Sequence, residues 1–213
     1  MRMWVVVIFM AAMVGTGLAQ AAPEYEVRAN VIRHKGGGGY EIEVAKDLKY
    51  LGATRFHIRQ AADAEQHLFA EADANGHLKR LVWVQVEQQL PGQTWRYDYP
   101  SPERTRLGEL EFITDSRAFR SYVAEDPKSD HGMVDKQLAE HKVTWAGPAI
   151  GLRMIYLPDA EKRRELMIIY MEALPQTEKT KFRENEADAG QWPKELAKAK
   201  AYAMRDVKVK LVN

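Results

Sequence analysis

The chain has 213 residues, 46% of them hydrophobic and 29% charged, a globular proportion that excludes collagen-like, coiled-coil and wholly disordered chains. It has no cysteine, which excludes disulfides, thiolate nucleophiles, Cys-ligated zinc, iron–sulfur clusters and Cys-linked lipid anchors together. With 31 basic and 30 acidic residues the net charge is +1, so no overall field recommends nucleic acid as a partner.

The chain opens MRMWVVVIFMAAMVGTGLAQAAPEY. Arg2 supplies a positive start, and Trp4 to Val14 is an unbroken apolar run. Gly15 and Gly17 then weaken a helix ahead of Ala19-Gln20-Ala21, a small-x-small site. This is the order of a secretory signal peptide, with cleavage expected before Ala22. A helix over that run reaches about 17 Å, short of the roughly 30 Å hydrocarbon core, so a membrane anchor is the poorer reading. The expected organisation is a signal peptide over 1–21 and a single α+β domain over 22–213. Its expected address is exported, in the periplasm or outside the cell. No later segment suggests a membrane span after cleavage. The mature charge balances, which gives no pull towards nucleic acid or anionic lipid.

From Tyr25 to Val31 apolar and polar residues alternate, the period of a half-buried strand. Gly36 to Gly39 read as a flexible turn, since neither a Lys-Ser/Thr pair nor a helix start follows to make a phosphate cradle. Tyr40, Ile42 and Val44 alternate with Glu41 and Glu43. Strand signals then crowd over 54–60, 65–72, 77–89 and 94–99, separated by Ala61 to Asp63, Asn75-Gly76 and Pro91-Gly92. Arg106 to Ile113 reads as one more strand. Asp115 to Ala124 and Ser129 to Lys142 read as two short helices divided by Pro127, the first capped by Thr114 or Asp115. Ala149 to Leu157 and Glu165 to Leu174 are almost continuously apolar, the mark of central strands. Residues 175–190 read as an exposed polar loop. A helix starts at Trp192 with Pro193 in its first turn. Val207, Val209 and Leu211 alternate with lysines as a closing strand.

Turn geometry sets cross-strand partners. A turn at Asn75-Gly76 places Phe69 opposite Val82, Leu68 opposite Trp83 and His67 opposite Val84. A turn at Pro91-Gly92 would place Val86 opposite Tyr97, Val84 opposite Tyr99 and Glu87 opposite Arg96. A turn at Ala61 to Asp63 would place His57 opposite His67. Both resulting faces carry large apolar groups, so both are expected to be covered. The fold class is therefore α+β: a curved antiparallel β-meander, left open or closed like a small barrel, with two or three short helices packed on it. Arg55, His57, Arg59, His67, Tyr97 and Tyr99 are the candidate ligand-binding residues. Cationic and hydroxyl donors within an apolar cleft suit a small amphipathic or anionic ligand. The competing expectation is that these residues sit at the sheet edge, satisfied by backbone or water.

Catalytic motifs are weak. His57, His67 and Glu65 would make a two-imidazole, one-carboxylate metal set only if the turn at 61–63 held. Ser129-Asp130-His131 spells triad letters, but triads assemble in space and Asp130 is better read as a helix cap or first-turn acid. Glu41 with Glu43 and Glu109 with Glu111 read as solvated strand faces rather than acid–base pairs. No cofactor is implied. The expected function is a non-catalytic small-ligand-binding or envelope-associated module, with an envelope protein as a further candidate partner. The alternative is a hydrolase acting on envelope or extracellular material.

Overall fold

The computed structural model describes residues 24–35, 39–119, 126–174 and 193–212. The expected signal peptide and its cleavage site, the glycines at 36–38, the second half of the expected helix at 115–124 and the polar stretch 175–190 lie outside the described residues. The strands are β1 (Tyr25–Arg28), β2 (Val31–His34), β3 (Gly39–Val44), β4 (Lys49–Ile58), β5 (Ala62–Ala72), β6 (Leu78–Gln89), β7 (Arg104–Leu107), β8 (Leu110–Phe119), β9 (Ala149–Tyr156), β10 (Arg164–Ala173) and β11 (Val207–Val212). Helix α1 (Asp130–Glu140) precedes β9 and α2 (Pro193–Asp206) precedes β11. The strands form two sheets of order β1-β2-β3-β11 and β4-β5-β6-β10-β9-β8-β7. All named pairs are antiparallel. The α+β class holds. The barrel-like closure does not, because β4 and β7 are open edges of the larger sheet.

Both faces of that sheet are covered, as its two-sided apolar pattern demands. Phe69, Val82, Val84, Ile168 and Leu152 pack against Ile32, Ile42 and Val44 of the smaller sheet and against Ala199 and Ala203 of α2. On the opposite face Leu68, Leu81, Trp83 and Ile155 pack against Val134 and Leu138 of α1. Ser129 caps α1, its hydroxyl accepting from the Gly132 N–H at 3.1 Å, and Asp130 is the first-turn acid.

The β5–β6 register is the expected one: Phe69 faces Val82, Leu68 faces Trp83 and His67 faces Val84. The turn differs from the expected type, since Gly76 has positive φ but Asn75 does not, and the register shifts by one residue at Ala72. A left-handed glycine followed by such a shift is the signature of a longer hairpin loop with a bulge.

Four other expectations are corrected. The run from Tyr25 to Val31 is two strands, turned at Ala29-Asn30, where both residues have positive φ. The Asn30 amide donates to the carbonyls of Ala45 and Leu48, holding a turn that lacks glycine. The β4–β5 turn lies at Arg59-Gln60, again with positive φ at both residues, so His57 faces Asp63 and His67 faces Ala53. Residues 115–119 are not helical: they continue β8, where Asp115 stands opposite Arg153 of β9. The strand read at 106–113 is a hairpin folded at Gly108-Glu109, with Leu107 opposite Leu110.

The largest correction concerns 94–99. These residues are not a strand beside β6, because β10 holds that place. The chain leaves β6 and must reach β7 at the far edge, four strand spacings or about 19 Å away. Residues 92–103 make that crossing as a strap over the face that α1 also covers. Tyr97 meets β6, Tyr99 meets β10, and the Ser101 hydroxyl donates to the Thr114 carbonyl of β8 at 2.5 Å. The period-two pattern that suggests a strand reflects an extended chain running across the sheet.

Candidate functional site

The six candidate residues fall into three places. Arg55, His57 and His67 share the face turned towards β1 and β2. His67 is fully buried, with Nδ1 3.1 Å from the Tyr50 hydroxyl and Nε2 3.0 Å from Oε1 of Glu65. Glu65 also accepts the backbone N–H groups of Glu24 at 2.5 Å and Tyr25 at 2.9 Å. Burial pushes the Glu65 carboxyl up, but the His67 ring and those two amides outweigh it and hold it below the ordinary carboxylate range. Arg55 pairs with Asp63 and, at 2.9 Å, with Glu24, while His57 is exposed and 3.9 Å from Asp63. Arg59 is exposed in the β4–β5 turn. The cluster pins β1 to the larger sheet. It leaves only a crevice of about 40 Å³ beside Glu65 and Arg55.

Tyr97 and Tyr99 are on the opposite face, inside a polar row that sequence reasoning does not find. The Tyr97 hydroxyl donates to Oε2 of Glu87 at 2.8 Å, and the Tyr99 hydroxyl donates to Glu165. The Gln85 amide donates to Oε1 of Glu87 at 2.6 Å. Gln85 in turn accepts from the Trp83 indole at 2.9 Å and the Gln66 amide at 3.1 Å. Glu87 and Glu165 are directly opposed in register and are 7% and 1% exposed. Burial raises the Glu87 carboxyl, and burial together with the charge of Glu87 pushes Glu165 up to about 8. Arg96, the expected partner of Glu87, instead donates to the carbonyls of Thr94 and Trp95. The signal for this row is Gln85 and Glu87 directly after the apolar run Leu81 to Val84 of β6, and Glu165 at the head of β10.

Next to the row is a pocket of about 60 Å³ lined by Asp115, Arg117, His131, Gly151, Arg153 and Ile169. Gly151 stands opposite Arg117 on β8 and lines the pocket together with Arg117 and Arg153. His131 enters from the first turn of α1, its ring edge-on to Trp83 with the centroids 5.4 Å apart. Arg153 is held by both oxygens of Asp115 and lies over the Tyr99 ring at 5.2 Å, so it joins the pocket to the strap. A wider groove of about 560 Å³ lies past the other end of α1, between Asp47, Asp73 and Lys142. Its charges are of mixed sign and do not converge on one point.

Among the described residues no group of three or more His, Asp or Glu is gathered as a metal site, and no helix is long and apolar enough to cross a membrane. Comparison of the chain with protein-family models, with curated proteins and with solved structures finds no match.

Proposed function

We propose that the chain is an exported, non-catalytic binding protein whose ligand is a small anion bearing a carboxylate or phosphate group. The observation that carries this reading is the notch at Gly151, where two guanidinium groups and an imidazole line one small opening against the single carboxylate of Asp115. Arginine suits such a ligand because its planar fork meets carboxylate and phosphate oxygens in pairs, a role that falls to Arg117, while Arg153, with Nε and Nη2 given to Asp115, adds its charge. The N-terminal end of α1 favours the same charge. Export rests on the Arg2 to Ala21 pattern alone, and the intact mass of the secreted protein tests cleavage before Ala22. The hydrolase reading has one observation in its favour, the opposed Glu87 and Glu165. Their burial and their tyrosine and glutamine donors argue for a structural network instead.

The test is calorimetric titration of the mature protein with inorganic phosphate and with succinate. Binding that weakens at least tenfold in both Arg117→Ala and Arg153→Ala supports the reading. Absence of binding to either probe, or equal binding by the two variants and the parent, overturns it.

A further inference from the structure

The 92–103 strap has few fasteners. Its backbone reaches the β9–β10 hairpin through the Tyr97 N–H, which donates to the Lys162 carbonyl at 3.1 Å, and the Gln89 amide reaches out to the Trp95 carbonyl at 2.5 Å. Ser101 and the Glu103 carbonyl secure the end that enters β7, both on the backbone of Thr114. Between these points, besides the packing of the two rings and of Arg153 on Tyr99, the strap is held by two hydroxyls, Tyr97 on Glu87 and Tyr99 on Glu165, and these carboxyls face each other on neighbouring strands. Two buried like charges in direct opposition repel strongly, so the arrangement is stable only while the pair keeps a proton.

The surroundings do not supply a compensating cation at full strength. From α1, Asp130 adds negative charge towards both carboxyls. From β9, the cation acting on Glu165 is Arg153, and Asp115 of β8 already takes both sides of its fork. From the strap come two neutral phenols. Lys162 lies 3.8 Å from exposed Asp98 on the outer side.

We propose that the strap is a proton-operated latch. A proton retained within the Glu87–Glu165 pair keeps Tyr97 and Tyr99 fastened. Its loss to solvent base lets the doubly charged pair seek water, lifts the strap and uncovers the two carboxyls beneath Tyr97 and Tyr99. The inference stands apart from the anion-binding reading, because the latch requires no ligand.

Amide hydrogen exchange by mass spectrometry tests it on the mature protein at pH 6, 7, 8 and 9, with exchange times scaled for the intrinsic pH dependence. Protection of the Tyr97 amide should fall at least tenfold between pH 7 and pH 9 while β10 amides keep theirs. Glu165→Gln, which keeps an acceptor for Tyr99 but removes the charge, should hold Tyr97 protected at pH 9. Glu87→Gln makes the same test from the other strand. Tyr97 protection independent of pH in the parent protein overturns the proposal, and so does a folded glutamine variant that follows the parent's pH curve.

Discussion

Glu87 and Glu165 stand directly opposite each other on β6 and β10, both buried, each receiving a tyrosine hydroxyl from the segment that crosses them. A paired arginine would neutralise such a site. Here burial raises both carboxyls instead, which ties the fold to pH.

Stability should therefore be greatest in mild acid. Both carboxyls are raised in the folded chain, Glu165 to about 8, so the folded state holds protons that the unfolded chain releases near the ordinary carboxylate range. Their contribution is fully present below that range and is lost as pH climbs through about 8. For Glu165 the loss is on the order of 5 kcal/mol over the window. Urea midpoints measured from pH 5 to pH 9 should fall steadily. Glu165→Gln should flatten the curve, making the variant the more stable protein at pH 9. A midpoint that rises with pH would refute the assignment.

Two glycines with the same backbone problem should respond very differently to alanine. Gly108, at φ +60°, begins the β7–β8 turn, and a Cβ there would sit 1.9 Å from the Val209 carbonyl oxygen of β11. The turn is thus wedged against the smaller sheet's outer strand. Gly92, at φ +85°, has nothing within 4 Å of the place a Cβ would take. Gly92→Ala should cost only the left-handed strain, about 1 kcal/mol, whereas Gly108→Ala should cost about 3 kcal/mol or more as the two sheets are forced apart. Thermal unfolding of both variants decides it, and equal losses would mean the wedge is not rigid.

The parts of the fold that short-range pattern controls are legible in the sequence. The β5–β6 register, the central apolar strands, both helices among the described residues and the closing strand all follow from period, caps and punctuation. What escapes is set by long-range topology. Nothing local says that β10, rather than 94–99, pairs with β6, so pattern alone puts Tyr97 and Tyr99 on the wrong face and never sets Glu165 beside Glu87. The turns at Ala29-Asn30 and Arg59-Gln60 escape for another reason: positive φ at Ala29, Arg59 and Gln60 is imposed by the hairpins around them and has no residue signature. Asp115 reads as a helix cap because its partner, Arg153, is distant in sequence.

Arg80 should prove the most sensitive ion-pair residue. Its guanidinium binds Glu71 at 2.6 Å, Asp206 at 2.6 Å and Asp47 at 2.5 Å, and Asp206 is 2% exposed at the end of α2. The contact ties α2 to β5, β6 and the loop before β4. Arg80→Ala leaves Asp206 with the neighbouring Arg205 alone, and a buried carboxylate stripped of one partner costs about 3 kcal/mol. Arg80→Lys should recover less than half of that, because an ammonium cannot serve three carboxylates along a planar fork. Chemical denaturation of the two variants checks the order, and full recovery by lysine would show that charge alone suffices.

The His67 cluster yields a prediction of opposite sign to that of the Glu87–Glu165 pair. Glu65 is held below the ordinary carboxylate range against the cost of its own burial, by His67 and the N–H groups of residues 24 and 25. Its contribution is present above that range and lost as pH falls through the lowered folded value. Glu65→Gln keeps the shape but weakens three charge-assisted contacts, so it should cost about 2 kcal/mol near neutral pH and progressively less in strong acid. The damage should be local, because those contacts hold β1 to β5. Exchange protection of Tyr25 to Arg28 should drop before that of the β6–β10 core. Uniform loss across both sheets would instead make Glu65 part of the global core, with no special hold on β1.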